Sequence, residues 1–207
     1  TLFRSANSWI SSVKQTHQLN YYLNSITGNW RNAIQAAISE FNTLATRHRL
    51  GVTYASTTTP PSATGGADIS IATGGGQVSF TYSGTHTTTI NSHALHGTTQ
   101  LVSRQGGGIE KAFMFLPNQP MINTPRGQRQ TGVGVMKVIA FHELIHGCGL
   151  HNSDHTPDDV FNGYPSADPG QTPAQDRIQI TVLGQYRFMP PIIFSRTTAE
   201  RIARLWR

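Results

Sequence analysis

Between Trp30 and Leu44 the apolar residues Ile34, Ala37, Ile38, Phe41 and Leu44 return every three or four positions. That is the spacing of one helix face, and it predicts an amphipathic helix over residues 29–48. Thr27-Gly28-Asn29 supplies a turn and a cap ahead of it, and Gly51 a stop. Elsewhere the period changes to alternation. Leu19, Tyr21 and Leu23 predict a strand within residues 17–26, and Val52-Thr53-Tyr54, Asp68–Ala72 and Val78–Tyr82 predict three more. Ala112-Phe113-Met114-Phe115-Leu116 is apolar throughout and closed by Pro117, which also reads as a strand. The Thr/Pro/Gly-rich stretch 57–66 reads as loop, and residues 83–108, polar and rich in Thr and Gly, show no clear period.

Residues 131–148 predict the second long helix. Val133, Val135, Met136, Val138, Ile139, Phe141, Leu144 and Ile145 cover nearly all its sides, the mark of a helix buried all round, and Gly147 and Gly149 fit its C-terminal end. The Pro-, Asp- and Gly-rich stretch 152–185 reads as loop, and 197–206 as a last helix capped by Ser195. Together these elements predict an α+β fold with a twisted mixed sheet, two long helices and a small C-terminal lobe. The 207 residues fit one domain, with an upper lobe over about 1–150 and a lower lobe over about 151–207.

Composition narrows this only in part. With 37% hydrophobic and 13% charged residues the chain has enough apolar material to fold, which argues against global disorder. The net charge is +6, but apart from Arg126/Arg129 and the tail residues Arg196, Arg201, Arg204 and Arg207 the basic residues are scattered. We read this as a basic surface, with no specific nucleic-acid partner. Cys148 stands alone, so no internal disulfide can form. No apolar run is long enough to span a membrane. The chain opens without an initiator Met or a signal-peptide pattern, which we read as a trimmed or mature domain. The compartment stays open, with secretion, or delivery outside the producing cell as part of a larger polypeptide, as the expectation.

Polar groups on an all-apolar helix need a reason, because burying them unpartnered is costly. His142-Glu143-Leu144-Ile145-His146 supplies one. Two imidazoles four residues apart share a helix face and can grip one Zn2+ ion at about 2.0–2.1 Å, while Glu143 lies close enough to act as general base and acid on a metal-activated water. The bland alternative is a chance pentapeptide on a core helix.

The longer run His142-Glu143-Leu144-Ile145-His146-Gly147-Cys148-Gly149-Leu150 resembles the metzincin zinc peptidases, whose signature is HExxHxxGxxH, and most of all their matrixin branch. The resemblance implies a zincin-like fold, a zinc cofactor and a protein or peptide substrate cleaved internally. Gly149 matches the glycine that turns the chain. The position of the third histidine holds Asn152, a poor zinc ligand, so the resemblance leaves the third ligand to His155, or alternatively His151, or Asp154. Phe188-Met189-Pro190-Pro191 resembles the Met-turn that underlies the zinc in that family, with Met189 as its methionine. The family's sheet edge binds substrate by strand addition, and Ala112–Leu116, with Phe113, Met114 and Phe115, is the candidate for that edge.

Weaker candidates surround this site. His86, His93 and His96 read as loop histidines or as a second zinc site, and Asp158-Asp159 as a cap or a cation site. Tyr164 and Tyr186 read as packing residues or oxyanion donors. Cys148 reads as a buried apolar residue rather than an inhibitory ligand. The expected activity is that of a monomeric zinc metalloendopeptidase with Glu143 as general base. The alternatives are a zinc amidase acting on peptidoglycan or another non-protein amide, and a toxin or effector binding module in which zinc is structural.

Overall fold

The computed structural model describes residues 8–103, 107–124, 127–151, 163–166, 177–180, 185–188, 192 and 195–207. In chain order the elements are α1 (Ser11–Lys14), β1 (Gln18–Leu23), α2 (Gly28–His48), β2 (Thr53–Ser56), β3 (Ile69–Gly74), β4 (Gly76–Thr81), β5 (Thr85–Ile90) and β6 (Thr98–Ser103). Then come β7 (Ile109–Pro117), β8 (Met121–Thr124), β9 (Gly127–Gln130), α3 (Val133–Gly147), β10 (Gly163–Ser166), β11 (Arg177–Ile180), β12 (Gln185–Phe188) and α4 (Arg196–Leu205). The α+β class is as expected. No described helix is long and apolar enough to cross a membrane.

The main sheet has the order β2-β1-β3-β7-β6. Its first four strands run parallel, and β6 pairs antiparallel with β7. Leu19, Ile69, Ile71, Ala112, Met114 and Leu116 project into one core with the buried faces of α2 and α3. The intervening residues of β7, Phe113 and Phe115, enter a second cluster with Tyr82 and Ile90, roofed by the β4-β5 hairpin. Phe80 of that hairpin stacks on Phe113 with ring centroids 3.9 Å apart.

This double burial corrects one expectation. Ala112–Leu116 is a strand but not the sheet edge, because it sits between β3 and β6. A strand apolar on both faces needs cover on both, which an interior position supplies. The edge on this side of the sheet is Thr98–Ser103, whose Thr, Gln and Ser tolerate solvent better. It lies in the segment where no period was legible. A second correction concerns the 152–185 stretch expected as loop, which contains β10 and β11, paired with β12 in a three-stranded antiparallel sheet. A third is the end of α2, where the chain already turns left-handed at Arg49 (φ 53°), two residues before Gly51.

α2 and α3 pack together through Phe41 and Phe141, with ring centroids 5.7 Å apart, and through an ion pair of 2.7 Å between Lys137 and Glu40. The C-terminal end of α3 is buried, where unpaired carbonyls would be expensive. Three aromatic donors satisfy them. The Tyr54 hydroxyl donates to the Leu144 carbonyl (2.5 Å), Trp9 Nε1 to Gly147 (2.9 Å) and Trp206 Nε1 to Cys148 (3.0 Å). These donors come from β2, from the segment before α1 and from just after α4, so remote parts of the chain fix one helix end. Gly147 permits the approach, since a Cβ there would lie 2.5 Å from the Tyr54 hydroxyl. Trp206→Phe keeps most of the apolar volume and removes the donor. It is expected to cost about 1–3 kcal/mol in urea unfolding, the penalty of a buried carbonyl left unpaired.

Candidate metal centre

The chain leaves α3 through Gly149, whose φ of 106° suits glycine, and its N–H donates to the His146 carbonyl (2.9 Å). The turn brings Leu150 back beside the helix. His146 Nδ1 lies 2.8 Å from the Leu150 carbonyl oxygen. A carbonyl can only accept, so in the neutral ring Nδ1 carries the proton and Nε2 presents its lone pair. That lone pair faces His142, with the two Nε2 atoms 3.1 Å apart. Two ligands of a tetrahedral zinc ion at about 2.0–2.1 Å stand about 3.3–3.4 Å apart. The observed separation is close to that, and a pair of imidazoles suits zinc. His142, Glu143 and His146 have ligand atoms within 4.8 Å of one another, the one such cluster among the described residues.

Glu143 is 2% exposed and points away from the apolar core toward β6. Gly97 N–H donates to its Oε1 (3.0 Å) and the Thr99 hydroxyl to its Oε2 (2.7 Å). Burial pushes its pKa up from 4.5 to about 7, against the opposing pull of the Thr99 and Gly97 hydrogen bonds and the His96 charge. Gly97 is enforced by space, since a Cβ there would lie 2.6 Å from the Phe115 carbonyl oxygen and 2.9 Å from Glu143 Cγ.

The raised pKa makes the metal-free protein's stability depend on pH. Below 4.5 the carboxyl is protonated in both folded and unfolded chains and contributes no difference. Between 4.5 and about 7 the folded chain holds the proton the unfolded chain has lost, so stability falls as pH rises. Above about 7 the penalty is constant, at about 3 kcal/mol for that gap. Glu143→Gln removes the titration. Relative to wild type it should be more stable at pH 8 than at pH 5, by up to about 3 kcal/mol. Equal differences at both pH values in urea unfolding would refute the burial argument.

The centre opens on a cleft of about 680 Å³ lined by His96 to Leu101 of the sheet edge and by His142, Glu143, His146, Leu150 and His151. Of the alternative third ligands, His151 is exposed and borders this cleft without joining the three-residue cluster. His155, Asp154, Asn152 and the Met-turn candidate Met189 lie outside the described residues, as do Asp158 and Asp159. Tyr164 and Tyr186 lie on β10 and β12. His86, His93 and His96 form no metal cluster among the described residues. His86 stacks on Phe80 (5.0 Å between ring centroids), His93 is exposed and His96 lines the cleft. Cys148 is fully buried, 3.7 Å from the Tyr54 hydroxyl, and burial pushes its thiol up to about 12. It is inert in this state and faces the core.

The sequence matches no family model and no curated protein. The chemical reading therefore rests on the geometry just described. That geometry includes two residues no sequence pattern singled out, Gly97 and Thr99. A glycine just before two β-branched residues in a polar stretch was their only local signal.

Proposed function

We propose that the protein is a zinc-dependent metalloendopeptidase of metzincin-like design. The observation that carries this reading is the convergence of the His142 and His146 Nε2 atoms beside the Glu143 carboxylate, at the floor of a cleft bordered by a sheet edge. His142 and His146 would hold the zinc, with His155, His151 or Asp154 completing the shell. Zinc, when bound, supplies a Lewis acid that polarises a carbonyl and acidifies water. Glu143 takes a proton from the attacking water and passes it to the leaving amine. The β6 edge offers backbone N–H and C=O groups to an extended peptide, which favours a polypeptide substrate. This moves the expected substrate contact from Phe113, Met114 and Phe115 to the neighbouring strand.

The test is metal analysis of the purified chain followed by digestion of casein and, in parallel, of purified cell wall. One zinc per chain with casein cleavage supports the reading. Zinc with cleavage of cell wall alone replaces it with an amidase, and stoichiometric zinc with no cleavage of either replaces it with a structural role.

A further inference from the structure

Glu143 is held from outside its own helix, and the holding groups belong to the sheet edge. We propose that Thr99 is a positioning residue that, together with the Gly97 N–H, seats the Glu143 carboxylate against the two histidines. The inference rests on the peptidase reading for its kinetic consequence and on geometry alone for the contact.

Three observations converge on this. Both carboxylate oxygens accept one hydrogen bond from β6 or the residue just before it, at 3.0 Å and 2.7 Å. Each oxygen keeps a second acceptor site, so the seat fixes the group without consuming its basic lone pairs. The strand can come this close only because residue 97 has no side chain, and the Phe115 carbonyl behind it blocks retreat. Finally, Thr99 is one of the β6 residues that line the cleft, so the hydroxyl that holds Glu143 sits on the cleft's own wall.

The physical consequence is a fixed distance between the proton carrier and the strand along which a peptide would lie. A glutamate carboxylate hangs on three side-chain torsions, and without the seat it samples positions useless for proton transfer. Misplacement by about 1 Å costs on the order of 100-fold in rate. Binding of the peptide backbone would be little affected, because Thr99 holds the base through its side chain.

The test uses the full chain loaded with zinc. Thr99→Val is expected to lower kcat about 10- to 100-fold with KM within about 2-fold, and Thr99→Ser to restore most of it. A double-mutant cycle with Glu143→Ala, read as thermal unfolding, separates the contact from a general role of Thr99 in the strand. Thr99→Val should lower Tm by about 2–4 °C in the wild-type background and by about zero in Glu143→Ala. Equal Tm losses in both backgrounds, or a full kcat in Thr99→Val, overturn the proposal. If the cycle shows coupling but no variant, wild type included, cleaves any substrate, the peptidase reading fails and the seat stands. If Thr99→Val does not fold, Thr99→Ala carries the same cycle, with Thr99→Ser as the variant that keeps the hydroxyl.

Discussion

Glu143→Ala is expected to keep zinc and fold while lowering peptide hydrolysis by about 10²- to 10⁴-fold, the usual contribution of a positioned acid–base group. The fold should survive because Glu143 faces the strand edge and not the apolar core that holds α3. In the metal-free chain it is a buried acid whose ionised form is disfavoured, so its removal relieves a desolvation cost there. What is lost besides is the pair of hydrogen bonds from Gly97 and Thr99. Zinc should stay because in the proposed site His142 and His146 would hold it from neighbouring turns of α3, independent of the glutamate. The measurements are zinc stoichiometry, far-ultraviolet circular dichroism and casein turnover on the same preparation. A variant cleaving at the wild-type rate would remove Glu143 from the chemistry and leave the site without a proton carrier among its three clustered residues.

His146→Ala should weaken zinc binding by more than the 10- to 100-fold that loss of an outer partner costs, because it removes a ligand. It also removes the proton donor to the Leu150 carbonyl, which orients that ring and pins the turn after Gly149. Competition with a chelator of known affinity reads the effect directly. Leu150 contributes through its backbone, so side-chain substitutions there should leave the tautomer of His146 intact. Parallel His151→Ala, His155→Ala and Asp154→Ala variants identify the third ligand, since only the ligating residue should produce a comparable loss of metal. Undiminished zinc in His146→Ala would dismantle the centre, whatever the other histidines do.

Much of this was legible in the chain. α2 carries a helical period and α3 a long apolar run ended by glycine, and both appear within a few residues of the expected bounds. Ser195 caps the last helix as its sequence position suggests, accepting from Thr198 N–H at 3.1 Å. The HExxH spacing places both imidazoles on one face by helix geometry alone, and the structure brings them to 3.1 Å. Local periodicity failed where burial was set by distant partners. The polar strand β6 has no amphipathic signature because its pairing with β7, not its own side chains, decides its place in the sheet.

The helices, the inner strands and the pairing of two imidazoles on one helix face could be read from the chain, because periodicity and i,i+4 spacing are local properties. Only tertiary structure decided which strand forms the edge, what holds Glu143 and how the end of α3 is closed. Those features join residues 44, 46, 58, 90 and 138 positions apart. A chain read locally cannot reveal which Thr, Gly or Trp will arrive there, since that is set by how the sheet and helices pack as a whole.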